Sequence, residues 1–157
     1  EGANCLILGT GPEETILKEQ VRRLNLEKKI QFFGFVDGTQ KWNLLVNALA
    51  SIQPSLWYEN FMISTLESMA ARLPIVASRL GSMPFTIDEG KTGYLFQVGN
   101  PNELHEYLIH FLKNPDQAVL MGRRGQEKLM NTYSKDAHYK KLIEVYSQVV
   151  QEKHNIY

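Results

Sequence analysis

The sequence predicts an α/β protein with a parallel sheet, helices on both faces and a helical C-terminal tail. Three observations carry that expectation. Short apolar runs, each opened or closed by glycine or proline, recur through the first hundred or so residues. Helical repeats of about 10–15 residues separate most of those runs, the alternation expected of parallel strands joined by crossover helices. Beyond residue 100 the pattern turns helical and stays so.

Residues 4–8 (NCLIL) read as a strand buried on both faces and ended by Gly9, with Cys5 as a small buried apolar side chain. A helix follows, with Thr10 and Glu13 at capping-box spacing and Leu17, Val21 and Leu24 forming one buried stripe. Residues 30–33 (IQFF) form a second strand, and Trp42, Leu45, Val46 and Leu49 share a face of the next helix. Residues 50–53 give a third strand, stopped by Pro54; a loop over 55–63 leads into a helix through about Arg72. Pro74 opens a fourth strand (PIVAS), Gly81-Ser82 form a loop, and Thr92-Gly93 turn the chain into a last strand (YLFQV). Asn100, Pro101 and Glu103 cap the next helix, Asn114-Pro115 open another, and Ser134 caps a third. In that third helix Tyr139, Leu142, Ile143, Tyr146, Val149 and Val150 make a long apolar stripe.

The whole of 1–157 reads as a single domain, large enough to bury roughly 70% of its unfolded surface without disulfide or metal staples. Seventeen basic residues balance seventeen acidic ones, which argues against a nucleic-acid partner. Between 113 and 153 eight basic residues face five acidic ones, an excess that suits a solvated helix surface better than an anionic lipid one. No run approaches a membrane span, and the chain, which lacks an initiator Met, reads as a piece of something longer.

Right-handed crossovers place the loops at 9–12, 34–38, 54–63 and 79–84 on the carboxyl edge of the sheet, where such folds bind ligands. Gly9-Thr10-Gly11 joins a strand to a helix and suits an anion, but Glu14 stands where a dinucleotide fingerprint needs a third glycine. A tight turn and a ligand contact both remain open there. The segment 54–71 (PSLWYENFMISTLESMAA) carries more chemistry: Glu59 in the loop and Glu67 near the start of the following helix. A helix N-terminus suits phosphate, and carboxylates accept strongly from sugar hydroxyls. Against this, residues 64–67 (STLE) also read as a capping box, and Glu59 as a solvated loop charge.

The spacing Glu59-x7-Glu67, continued by 68–78 (SMAARLPIVAS), resembles the signature of family 4 (group 1) retaining glycosyltransferases. The flanks agree in order: 8–12 (LGTGP), 32–36 (FFGFV), Pro54-Ser55, Gly81 and 92–96 (TGYLF). The resemblance implies the Rossmann-like C-terminal domain of a GT-B fold, which binds a nucleotide-diphosphate sugar of the UDP or GDP type. Glu59 would be the catalytic residue beside the donor sugar, and Glu67 would accept from the ribose hydroxyls. Asn60, Phe61, Met62 and Ile63 would approach the sugar and phosphates, Gly9 and Gly11 would join the donor site, and Phe35, Val36 and Lys41 would line the base pocket. No metal or other cofactor is implied, and His105, His110, His138 and His154 show no ligand-like clustering.

The resemblance further implies an N-terminal acceptor domain, and an Arg and a Lys for the diphosphate, upstream of this sequence; the chain alone is not expected to turn over. The expected acceptor is a glycan or a lipid-linked sugar, in bacterial surface polysaccharide synthesis. The expected location is the cytoplasm, with peripheral contact at the inner membrane face through the full-length protein. Met62 stands where relatives often have Gly, and Phe85 lies near a usual acidic position. These departures carry the rival reading, a degenerate non-catalytic nucleotide-binding or scaffold domain. A sugar-nucleotide epimerase of the same fold is disfavoured by the paired glutamates.

Overall fold

A computed structural model of the chain describes residues 2–154. The chain divides into two units, one ending at Leu44 and one starting at Leu45.

The first unit holds β1 (Cys5–Leu8), α1 (Glu14–Arg23) and β2 (Ile30–Gly34), the strands pairing in parallel from Cys5↔Ile30 to Leu8↔Gly34. Helix α2 (Gly38–Val46) crosses the boundary between the units. The expected stripe on α1 is not buried: Leu17 and Leu24 are exposed and Val21 half-buried. A face of only two short strands offers the stripe few side chains to pack on, so its edges stay in solvent. The packing runs instead through Lys18, whose Nζ bonds Glu14 at 2.6 Å and sits 5.5 Å from the centroid of the Phe32 ring. Cys5 is likewise exposed rather than buried, and so are Trp42, Val46 and Leu49. Nor does Thr10 cap α1; the N-cap is Glu13, with no side-chain bond.

The second unit is built on β3 (Ser51–Gln53), β4 (Ile75–Ser78) and β5 (Gly93–Phe96), in spatial order β3-β4-β5 and parallel throughout. Strand β4, buried along its length, is central, and alternation sorts the core into two layers. Ile75, Ala77 and Leu95 meet Met69 of α3 (Ile63–Ala70) and Met83 of a short α4 (Met83–Thr86) on one face. Val76 and Phe96 meet Phe111 of α5 (Pro101–Lys113) and Ala118 and Met121 of α6 (Pro115–Lys128) on the other. The sandwich of helices around a parallel sheet is thus as the alternation of patterns predicts, with α4 added inside the predicted loop after β4.

A polar seam ties α3 to β3. Ser64 Oγ donates to Gln53 Oε1 (3.3 Å), Gln53 Nε2 donates to Ser51 Oγ (3.1 Å), and Ser68 Oγ lies 2.8 Å from the same hydroxyl. Ser68 Oγ is also 2.7 Å from Ser64 O, so its single proton serves one of the two. The seam fixes the rotation of α3, the helix that carries Glu67.

Caps fall largely where local sequence places them. Asn100 Oδ1 accepts from Asn102 N and Glu103 N, with Pro101 at the start of α5, and Ser134 Oγ accepts from Ala137 N. Glu103 closes on Gln97 N (2.6 Å), not on Asn100. Helix α6 leaves through a π-helical turn (Leu129–Tyr133) into α7 (Lys135–His154). The α7 stripe expected from the sequence stays solvent-exposed, from Tyr139 and Leu142 to Val149 and Val150. Its periodicity made a helix without supplying anything to cover it.

Candidate functional site

The segment from Pro54 to Ala70 leaves the carboxyl end of β3, crosses an exposed loop and enters α3. Glu59 sits in that loop, half-buried, and its Oε1 accepts a 2.6 Å hydrogen bond from Trp57 Nε1. A hydrogen bond to a carboxylate is stronger than one between neutral groups, and it restricts the rotamer of the acid. Trp57, Tyr58 and Phe61 leave much of their rings in solvent.

The loop is also braced from the next strand. Ser82 N donates to Glu59 O (3.1 Å), and Gly81 has φ +58°, a left-handed backbone that favours glycine. A Cβ on Gly81 would stand 2.6 Å from Glu59 O and 2.9 Å from Glu59 N, so only glycine lets these segments approach. The loops after β3 and β4 therefore meet at the carboxyl edge of the sheet, as the crossover rule predicts. Ser78 Oγ and Ser82 Oγ, both buried near this edge, have no hydrogen-bond partner among the described residues.

Asn60 is exposed and Phe61 packs on Tyr133 of the π-helical turn, ring centroids 5.6 Å apart. Met62 is the N-cap of α3 with φ −87° and ψ 112°, an ordinary extended conformation. Its side chain packs on the Met69–Ile75 core cluster, so the place where relatives often carry Gly needs no left-handed backbone here. Ile63, the first helical residue, is 70% exposed. No side chain of the N-cap residue bonds the helix start; Thr65 N donates to Met62 O (3.1 Å), and the N–H groups of Ile63 and Ser64 precede the first turn's backbone bonds. The capping box read into 64–67 does not form: Ser64 lies inside the helix and donates to Gln53. Glu67 is half-buried in the second turn of α3, with a polar interaction of its own. Phe85, in α4, is 82% exposed and presents an aromatic ring at the expected acidic position.

In the first unit, the loops after β1 and β2 share that unit's own carboxyl edge. Gly9 N donates to Gly34 O (2.7 Å), with φ +118° at Gly9 and +65° at Gly34. Gly11 is exposed, Phe35 is 77% exposed, and Val36 is buried. Lys41 lies in α2, its N–H bonded to Asp37 O, and its side chain has an interaction of its own. Sequence reasoning gave no role to Trp57 or Tyr133 and read Gly81 only as a loop glycine and motif flank, whereas all three hold the Glu59 loop. Trp57, two residues from the acid, was the only one of these within reach of a local reading.

Trp57→Phe keeps the ring and removes the N–H. With Trp57 66% exposed, the melting temperature is expected to stay put. If Glu59 is catalytic as the resemblance implies, turnover by the whole protein should fall about tenfold, the worth of one hydrogen bond to a charged group, at little change in KM. Unchanged turnover would make the contact incidental.

The class the structure defines is a Rossmann-like α/β protein with a carboxylate braced at the carboxyl edge of its sheet. The profile "Glycosyl transferases group 1" matches residues 1–128, and the chain belongs to that family. It is 26% identical over 153 residues to N-acetyl-alpha-D-glucosaminyl L-malate synthase of Bacillus anthracis, covering 98% of this chain and 39% of that protein. The fold matches Anabaena HepE in complex with UDP (TM-score 0.84, 20% identity, 93% of this chain and 41% of that one). It also matches the C-terminal domain of a group 1 family glycosyl transferase (LpcC) from Francisella tularensis, with TM-score 0.73 and 20% identity over 84% of this chain and 70% of that one. The chain thus spans about two fifths of the length of the Bacillus anthracis relative. Among the described residues no helix is long and apolar enough to cross a membrane.

Proposed function

We propose that this chain is the donor-binding domain of an enzyme that moves a sugar, with retention, from a nucleotide-diphosphate sugar to a glycan or lipid-linked acceptor. The observation that carries the reading is the Glu59 loop: its carboxylate is held by Trp57, and its backbone is pinned to Gly81-Ser82 at the carboxyl edge. An acid fixed in that way can accept from donor hydroxyls and offset positive charge as the glycosidic bond breaks, without reorganising at that moment. Glu67, one helical segment further on, accepts from the ribose hydroxyls, while the uncapped start of α3 faces the diphosphate. Gly9, Gly11, Phe35, Val36 and Lys41 of the first unit enter this reading as nucleotide contacts on the family resemblance alone. The donor enters as a substrate of UDP or GDP type, with no resident cofactor. UDP-bound HepE, of similar fold, supports a uridine nucleotide. The pathway proposed is assembly of bacterial surface polysaccharide, in the cytoplasm and at the inner membrane face, by a protein that also carries an N-terminal acceptor domain.

Calorimetric titration of UDP and GDP into the whole protein tests this. One nucleotide should bind, and Glu67→Ala should weaken it by about 10–150-fold, the loss of roughly 1.5–3 kcal/mol of hydrogen bonding to a charged acceptor. The exposed Phe85 ring favours the rival reading, a degenerate domain that serves as scaffold. Absence of binding by either nucleotide at millimolar concentration would select that rival.

A further inference from the structure

The amino ends of β3 and β4, the opposite edge of this sheet from Glu59, border a cavity of about 480 Å³. Residues of the second unit line it: Ala48 before β3, Ala71, Arg72 and Leu73 between α3 and β4, and Val119 and Arg123 of α6. Two arginines are its charged lining, and no carboxylate accompanies them.

Arg72 occupies an unusual place. Its N–H donates to Met69 O (3.0 Å) and that of Leu73 donates to Ser68 O (2.9 Å), the double closure of a helix C-terminus that normally ends in glycine. The backbone at Arg72 is left-handed, φ +60°, a conformation costly for any residue with a Cβ. A side chain kept where glycine would be easier points to a use for that side chain. Gln126 orients it, accepting from Arg72 Nε (2.8 Å) while donating to Ala70 O (3.0 Å). No hydrogen bond or ion pair among the described residues occupies the Nη groups of Arg72 or the guanidinium of Arg123. Two like charges on one cavity repel, and a bound anion removes that repulsion.

We propose that this cavity binds a phosphate monoester, its head held by Arg72 and Arg123 and its organic arm lying on Ala48, Leu73 and Val119. Guanidinium groups fit phosphate oxygens in a fork, and two of them match the charge of about −1.5 to −2 on such a group better than a carboxylate would. The volume falls in the usual range for small-molecule sites. The assignment does not rest on the proposed sugar transfer, which uses the other edge.

Phenyl phosphate, titrated into the isotope-labelled whole protein and followed by amide shifts, tests it. Saturable shifts are expected at residues 70–73 and 119–126, unaffected by added UDP. Arg72→Gly, which suits the left-handed backbone and so keeps the fold, and Arg123→Gln should each weaken binding by roughly tenfold or more. Inorganic phosphate should bind more weakly, and benzoate more weakly still. Shifts elsewhere, none at millimolar ligand, unaltered affinity in both variants, or benzoate binding as tightly would overturn the proposal. Inorganic phosphate binding as tightly as phenyl phosphate would overturn it too, by removing any role for the apolar lining.

Discussion

Gly122→Ala lowers the stability of the second unit by about 2–3 kcal/mol, whereas Gly125→Ala, three residues further along the same helix, is neutral or slightly stabilising. Helix propensity alone favours both changes by nearly 1 kcal/mol. The difference lies in what each new methyl would meet. At Gly122 it would fall on the carbonyl oxygen of Arg72, with the carbonyl carbon at 2.5 Å and Leu73 N at 3.2 Å. Those atoms are backbone, already held by the end of α3, and cannot step aside without moving α6 off the sheet. At Gly125 the nearest atoms are Met69 Cγ at 3.6 Å and Leu73 O at 4.0 Å, ordinary contact distances. Urea unfolding of the two variants decides the matter; equal midpoints would show that α6 is not pinned to the Arg72 turn.

Glu59→Gln in the whole protein, assayed with whichever nucleotide sugar the titration identifies, lowers turnover by on the order of 100-fold while leaving nucleotide affinity within a few-fold. Glutamine is nearly isosteric, and its carbonyl oxygen can still accept from Trp57 Nε1, so the loop keeps its shape. The charge alone is lost. Under the proposed mechanism that charge acts on the donor sugar as positive charge develops, so the effect belongs to the transition state and not to nucleotide binding. A variant as active as the parent would remove Glu59 from the chemistry; one that no longer binds nucleotide would give it a ground-state role instead.

The fold class was legible because most strands announce themselves by a short apolar run and the long helices by their repeat, although β3 (SIQ) has a single apolar residue. Strand β4 shows this best, its residues 75–78 apolar but for Ser78 and buried at every position. Caps made by near neighbours were legible too: Asn100 and Ser134 bond N–H groups within three residues of themselves. Where a local motif had competition, the reading failed. Ser64 was offered Gln53 on the strand beneath α3 and took it in place of the start of its own helix.

Legible in the sequence were the order of the strands and longer helices, the parallel sheet, and the placing of Glu59 and Glu67 on one loop-and-helix segment after β3. All of these follow from patterns a few residues long. The tertiary structure alone decided that Trp57 and Gly81 hold Glu59, that Gly122 seats α6 on the Arg72 turn, and that the stripes of α1 and α7 stay in solvent. Periodicity describes one face of an element. What covers that face, and how closely another backbone comes, depends on residues remote in the chain that no local pattern encodes.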